Sequence, residues 1–164
     1  MLECFSFFGY NVLETITEIK MDCIYNDDDK KLMKLAAQAK NKSRLQELID
    51  FAKSAGYHRL GIANCKGVQE YADKLKAILT EQGFEVISVN CKESGCEICT
   101  EMAGPCCDPV FQARYLNDRN TDFNINVGLC LGHGLLFQKY SNVEVTTFLV
   151  KDFATGHKTV ENLC

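Results

Sequence analysis

Four cysteines and one histidine stand where predicted strands end or a predicted helix begins. Cys65, Cys91 and Cys130 each follow directly after a strand, and Cys107 immediately precedes a helix. In a parallel sheet, all the strands end at one edge, and open α/β folds bind their ligands there. The pattern therefore predicts that these four thiols gather at the C-terminal edge of the sheet, with His133 close to Cys130.

Four thiolates gathered in this way suit zinc or an iron–sulfur cluster, because both centres prefer soft sulfur ligands. The sequence does not decide between the two centres. Cys106 and Cys107 are neighbours in the chain, and adjacent side chains diverge, so the two cannot easily bind one ion together. Of the two, Cys107 is the preferred ligand. An open coordination position would make the site catalytic or sensory, with His133 as an acid or base. The main prediction is therefore a metal-binding protein, with an enzymatic role left open.

Thiol chemistry without a metal is the alternative. Cys130 stands where a helix begins, and a helix N-terminus lowers the pKa of a thiol. In that case we expect Cys130 to be the nucleophile of a redox or sulfur-transfer enzyme. A nucleotide site is a weaker alternative. Gly128, Gly132 and Gly134 lie between a strand and a helix, but their spacing is not that of a dinucleotide-binding loop and no P-loop lysine follows.

Other residues of suitable type have simpler explanations. A single buried cysteine is a common core residue, so only the repeated placement after strands favours a site. Cys96 and Cys99 have the spacing of a zinc knuckle or a dithiol pair, and incidental loop thiols are equally expected. His157 lies near enough to contribute, but we expect a solvated terminal histidine. We expect Lys151 to be a surface charge and Asp152 to be a surface or capping carboxylate.

Hydrophobic periodicity and capping residues supply the elements that position these side chains. Residues 123–129 alternate between apolar and polar, which predicts a strand with one strongly apolar face. Further strands are predicted at 60–63, 86–89 and 145–150, and helices at 26–39, 43–55, 68–82, 108–116 and 132–140. Alternating strands and helices predict an α/β fold, with a mainly parallel, Rossmann-like sheet of about four strands and helices on both faces.

The length of 164 residues indicates one α/β domain, which we place at 26–164. Residues 1–25 show no clear periodicity and are predicted to be an N-terminal extension or arm. Their apolar content favours a homo-oligomer formed through this segment. A structural or interaction role is thus a further alternative.

Charge and composition exclude several classes of partner. The net charge is −4 and there is no basic run, so nucleic acid is not an expected partner. No apolar run approaches the roughly 20 residues of a membrane span. The N-terminus lacks the features of a signal peptide, so we expect a cytoplasmic protein. Ten cysteines in that reducing compartment indicate metal or redox chemistry rather than disulfides.

From Leu32 onward, the chain resembles the DUF1847 family, uncharacterised bacterial and archaeal proteins labelled as metal-binding. The resemblance is carried by residues 61–65, 86–92, 107–113, 124–137 and 145–157. The segment from Gly128 to His133 is fairly specific. The family label implies a cysteine-rich metal site, with Cys65, Cys91, Cys107 and Cys130 at the matching positions. The resemblance implies no particular reaction or substrate.

Overall fold

The computed structural model describes residues 24–40, 42–95 and 106–163. Its helices are α1 (Asp27–Ala39), α2 (Arg44–Ala55), α3 (Gln69–Glu81), α4 (Pro109–Asn117) and α5 (Leu131–Tyr140). Its strands are β1 (Arg59–Asn64), β2 (Glu85–Asn90), β3 (Phe123–Val127) and β4 (Val145–Leu149). Short 3₁₀ turns lie at Lys66–Val68 and Thr159–Leu163. The predicted α/β class is confirmed, and each predicted element is present.

The chain divides into two units, residues 1–34 and 35–164. In the described part of the first unit, the side chains and backbone of Asn26 and Asp29 cap the start of α1. The Asp29 N–H donates to Asn26 Oδ1 at 2.8 Å, and the Asn26 N–H donates to Asp29 Oδ2 at 3.2 Å. Most of the predicted N-terminal arm lies outside the described residues. The proposed boundary after residue 25 and the oligomer formed through the arm therefore stay predictions.

The second unit contains a four-stranded sheet in which every pairing is parallel and the strand order is β2-β1-β3-β4. From β1 the chain passes to the neighbouring edge strand β2. It then crosses back over β1 to β3 and continues in the same direction to the other edge strand, β4. Right-handed crossovers then place α3 on one face of the sheet and α4 and α5 on the other. In agreement, α4 and α5 pack against each other. The ends of the central strands β1 and β3 form the topological switch point.

The central strand β3 is buried on both faces, and not only on the predicted apolar one. Asn124 and Asn126 occupy the second face and are buried there. Thr121 Oγ1 donates to Asn124 Oδ1 at 2.9 Å, and the amide packs so close to Gly61 that a Cβ atom there would lie 2.1 Å from Oδ1. Both faces of β3 are therefore covered, as the predicted helices on both faces of the sheet require.

Capping residues fix the helix ends as the sequence predicts. Ser43 Oγ accepts a hydrogen bond from the Gln46 N–H at 3.3 Å, and Gly56 ends α2 with a φ of 76°. Asp108 Oδ1 accepts from the Phe111 N–H at 2.8 Å, with Pro109 in the first turn of α4. Among the residues that the structure describes, no helix is long and apolar enough to cross a membrane.

Candidate functional site

Backbone hydrogen bonds bring three of the predicted cysteines together just beyond the ends of the strands. The Cys65 N–H donates to Val127 O at 3.1 Å, and the Cys91 N–H donates to Asn64 O at 2.9 Å. The Asp108 N–H donates to Cys91 O at 2.8 Å, which ties the start of α4 to the end of β2. The sheet ladder thus continues into the loops, and it places Cys65, Cys91 and the residue before Asp108 next to one another.

The thiols of Cys65, Cys91 and Cys107 interact in a row. Each thiol acts on the ionisation of its neighbour, Cys91 on Cys65 and Cys107 on Cys91. The Lys66 N–H also donates to Cys91 Sγ at 3.4 Å. Cys65 and Cys91 are only 9% and 2% exposed, whereas Cys107 is half-buried. This part of the cluster is therefore largely closed to solvent.

Lys151 joins the fourth cysteine to this row. Its Nζ donates to Cys65 Sγ at 3.1 Å and to Cys130 Sγ at 3.1 Å, so the two sulfurs lie no farther apart than twice that distance. Cys130 is exposed at the N-cap of α5. The prediction of Lys151 as an ordinary surface charge is wrong, because its side chain is half-buried and its ammonium lies between two thiols. Its position just after a strand, like that of the cysteines, was the available signal.

A bulge in β4 and a glycine after β3 give Lys151 this position. Asn126 pairs with Thr147 but Val127 pairs with Leu149, so one residue of β4 is skipped. The Gly128 N–H then donates to Leu149 O at 2.8 Å, and Gly128 has a φ of +67°. A Cβ atom at Gly128 would lie 3.3 Å from Lys151 Cβ. The glycine thus allows the close approach of the lysine, which is a packing role.

The electrostatics of the site favour ionisation of one thiol, that of Cys65, beside the Lys151 ammonium. Burial opposes ionisation of Cys65, but the hydrogen bonds from Lys151 and the Gly67 backbone hold the pKa of this thiol below its ordinary value. Burial likewise opposes the charge of Lys151, but the thiols of Cys130 and Cys65 raise its pKa above the ordinary range. Burial raises the pKa of Cys91 to about 11, so Cys91 is a neutral thiol at neutral pH.

The sequence did not predict the role of two buried side-chain amides, those of Gln112 and Asn64. Gln112 Nε2, on α4, donates to Val89 O at 2.8 Å and to Asn64 O at 3.1 Å. Asn64 Nδ2 donates to Cys65 O and to Gln69 Oε1. These bonds tie the ends of β1 and β2 to α3 and α4. Glutamine in the middle of a helix carries no sequence signal for such a role.

The two candidate histidines are placed differently from the thiols. His133 is half-buried in the first turn of α5, and no hydrogen bond or ion pair links it to another described residue. His157 accepts a hydrogen bond from the Asp152 N–H on Nδ1 at 3.0 Å, and its ring contacts Tyr71 and Phe153. It is thus half-buried and packed rather than the solvated histidine we expected. The capping role expected for Asp152 is confirmed, because Oδ1 accepts from two N–H groups that follow it.

A cavity of about 350 Å³ opens beside the exposed thiol. Cys130 and Lys151 contribute to its wall, together with Asn126, Gln138 and Thr147. The remaining lining is mainly apolar and comes from α5, β4 and the residues that follow β3 and β4: Leu129, Leu131, Leu135, Val145, Leu149 and Val150. A small molecule could therefore approach Cys130 Sγ from this side.

The arrangement does not fit a metal ion without rearrangement. Within residues 24–40, 42–95 and 106–163, no three cysteine, histidine or acidic side chains are disposed to hold an ion together. The Lys151 ammonium also lies between two of the thiols. Cys96 and Cys99 lie outside the described residues. The assignment of Cys65, Cys91, Cys107, Cys130 and His133 as metal ligands stays a prediction.

These features define an α/β protein with a row of thiols and a lysine at the switch point of its sheet. A family model described as "Protein of unknown function (DUF1847)" matches residues 10–148, and the chain belongs to this family. An uncharacterized protein of Methanocaldococcus jannaschii is 44% identical over 126 residues, or 72% of this chain. The chain spans 65% of the length of that relative. No solved structure matches the chain. The metal binding implied by the earlier resemblance stays a prediction.

Proposed function

We propose that the protein carries out thiol redox or sulfur-transfer chemistry, with Cys130 as the attacking thiol and Cys65 as its partner. One observation carries the proposal: the Lys151 ammonium lies 3.1 Å from both sulfurs. A neighbouring cation stabilises the thiolate, which is the nucleophilic form of cysteine. Cys130 is exposed beside the cavity, whereas Cys65 is buried, so a substrate meets Cys130 first.

For a disulfide substrate, the chemistry takes two steps. The Cys130 thiolate attacks one sulfur, the substrate S–S bond breaks, and the other sulfur leaves as a thiolate with the electron pair. The Cys65 thiolate then attacks Cys130 Sγ and releases the second substrate thiolate. The substrate gains two electrons and the protein loses two in forming a Cys65–Cys130 disulfide. In sulfur transfer, the Cys130 thiolate instead attacks the outer sulfur of a persulfide. The donor S–S bond breaks, the inner sulfur leaves as a thiolate with the electron pair, and Cys130 holds the outer sulfur as its own persulfide.

Oxidised glutathione added to the reduced full-length chain tests the first chemistry. We expect a mixed disulfide that intact mass and peptide mapping place on Cys130. Cys65→Ser should trap this adduct, and Cys130→Ser should abolish it. Cys107→Ser is the matched control, because Cys107 makes no contact with Lys151 among the described residues. Equal labelling of all thiols, or labelling that persists in Cys130→Ser, would exclude the proposed nucleophile.

A metal site is the second candidate, and the convergence of four cysteines at one sheet edge favours it. Cys65, Cys91 and Cys107 act on one another's ionisation, and Lys151 donates to both Cys65 and Cys130. Thiolates could hold zinc or an iron–sulfur cluster if the Lys151 side chain moved away from them. Such a centre would supply either a Lewis acid or electron transfer.

Metal analysis of protein purified without oxygen separates the two candidates. Brown protein containing iron and sulfide supports a cluster, and colourless protein with stoichiometric zinc supports the simpler centre. Loss of the metal in Cys65→Ser and Cys91→Ser, but not in Cys106→Ser, would assign it to the predicted ligands. Metal-free protein whose Cys130 still exchanges with glutathione would exclude the second candidate and support the first.

A further inference from the structure

We propose that Lys151 and Cys130 form an oxidative modification site, at which a peroxide links Lys151 Nζ covalently to Cys130 Sγ. The proposal goes beyond the thiol function, since it requires no substrate and no turnover. It predicts a reversible cross-link between the end of β3 and the segment that follows β4.

The geometry already holds the reacting atoms together. Lys151 Nζ lies 3.1 Å from Cys130 Sγ in a hydrogen bond. The backbone of Lys151 is fixed beside Gly128, whose N–H donates to Leu149 O at 2.8 Å. Cys130 is fixed at the start of α5, where its carbonyl accepts from the Gly134 N–H at 2.8 Å. Small rotations of the two side chains are therefore enough to bring Lys151 Nζ to bonding distance of Cys130 Sγ.

Access differs between the two thiols that share Lys151. Cys130 is exposed and lines the cavity, whereas Cys65 is 9% exposed. A peroxide in solvent therefore reaches Cys130 first, and a thiolate beside a cation is the form that peroxides oxidise. Leu131, the next residue in the chain, is 89% exposed, so the start of α5 is open to solvent beside Cys130.

The chemistry balances with one molecule of hydrogen peroxide. The Cys130 thiolate attacks an oxygen of the peroxide, the O–O bond breaks, and sulfenic acid and hydroxide form. The hydroxide takes a proton from the Lys151 ammonium and becomes water. The amine then attacks the sulfur, an S–N bond forms, and the sulfenic oxygen leaves as a second water. The sulfur loses two electrons and the peroxide gains them.

The position of the lysine decides between this cross-link and a disulfide. Lys151 Nζ lies 3.1 Å from both sulfurs, so the amine is already within reach of the oxidised Cys130 sulfur. Once Cys130 is a sulfenic acid, the amine is its nearest nucleophile. The cross-link also removes the ammonium charge, so Cys65 loses the cation that stabilises its thiolate. Two equivalents of an external thiol reverse the reaction, giving back the cysteine and the amine with one external disulfide.

Peptide mapping of the full chain after treatment with hydrogen peroxide tests the proposal. We expect the peptides containing Cys130 and Lys151 to be joined, with a mass two hydrogens below their sum, and to separate on reduction with dithiothreitol. The same pair with one additional oxygen also supports the site, since a second peroxide can insert an oxygen between sulfur and nitrogen and release water.

Four variants test whether the cross-link joins Lys151 to Cys130. Lys151→Arg keeps the charge but lacks a nucleophilic amine, and Cys130→Ser removes the sulfur, so both should lose the cross-link. Lys158→Arg is the matched control, because Lys158 lies in the same terminal segment and pairs with Glu161 at 3.1 Å. It should form the cross-link like the unaltered chain. Cys65→Ser should also form it, which separates this proposal from the thiol function that needs Cys65.

Three results would overturn the proposal. The first is a Cys65–Cys130 disulfide formed in place of the lysine link, which would instead support the thiol function. The second is sulfinic acid on Cys130 with a free Lys151. The third is a cross-link that persists in Lys151→Arg, provided that circular dichroism shows that this variant is folded.

Discussion

The Gln112 side-chain amide donates a hydrogen bond from helix α4 to the carbonyl oxygen of Asn64, the last residue of β1, at 3.1 Å. The same amide nitrogen donates to Val89 O at 2.8 Å. One side chain thus holds the ends of two neighbouring strands at the place where Cys65 and Cys91 begin their loops.

Replacing Gln112 with leucine should destabilise the fold and loosen the thiol row. Val89 O would lose the Gln112 donor and Asn64 O would keep only the Cys91 N–H, and each lost hydrogen bond is worth about 0.5–1.5 kcal/mol. Chemical denaturation measures the loss. Gln38→Leu, at an exposed position of α1, should change the stability little. Equal stabilities for the two variants would show that the amide does not hold the strands.

Replacing Gly128 with alanine should also destabilise the protein. The residue has a φ of +67°, and an added Cβ would lie 2.7 Å from Val68 Cγ2. Backbone strain of this kind costs on the order of 1–3 kcal/mol, before the clash is counted. The melting temperature and the cross-link yield should both fall.

Gly132→Ala is the control for that substitution. Nothing lies within 4 Å of an added Cβ there, and the residue is helical. Alanine is favoured over glycine in a helix by about 1 kcal/mol at most, so the melting temperature should stay constant or rise slightly. If both alanine variants behaved alike, the close approach of Gly128 to Lys151 would not matter to the fold.

Replacing Lys151 with methionine should slow the reaction of Cys65 with iodoacetamide at neutral pH. The ammonium lowers the pKa of Cys65, so its removal raises that pKa and leaves less thiolate. The thiolate fraction falls about tenfold for each unit by which the pKa rises above the pH, and the rate falls by less because a more basic thiolate is a better nucleophile. Rates measured by mass spectrometry on each cysteine test this, with Lys158→Met as the control. Unchanged rates would exclude electrostatic activation by Lys151.

Asp122 should stabilise the fold in a way that depends on pH. Its Oδ2 accepts from the His58 and Arg59 N–H groups, each at 2.8 Å. Burial raises the pKa of this carboxyl, but the two backbone hydrogen bonds outweigh it and hold the pKa below the ordinary value. A folded pKa below the unfolded one gives stability that is complete above the unfolded pKa of about 3.9. That stability is lost as the pH falls through the folded pKa.

Asp122→Ala should therefore be less stable than the unaltered chain by about 1–3 kcal/mol at pH near 7, the cost of losing charge-assisted hydrogen bonds. The difference should shrink in acid. Denaturation curves at several pH values measure it, and Asp118→Ala at an exposed position supplies the comparison. A difference that stayed constant into acid would show that ionisation of Asp122 is not involved.

The elements and the edge where the cysteines lie could be predicted because both follow from local chemistry. Ser43 and Asp108 mark helix starts by the caps they form, and parallel strands necessarily end at one edge. The position of Lys151 could not be predicted in this way. It depends on a bulge that appears only when β4 pairs with β3, and a shift of one residue turns a side chain to the opposite face. The alternation along β3 predicts its apolar face, but the partners of the buried Asn124 depend on tertiary packing.

The skipped residue in β4 is Phe148, since Thr147 and Leu149 pair with consecutive residues of β3. With regular pairing, Phe148 would stand opposite Val127, and Val150 would take the place beside Gly128 that Lys151 now holds. The amine reaches the sulfurs only because the strand carries one residue more than its neighbour requires. Shortening the chain between Leu149 and Lys151 would withdraw the positive charge from both cysteines while leaving every residue of the cluster unaltered.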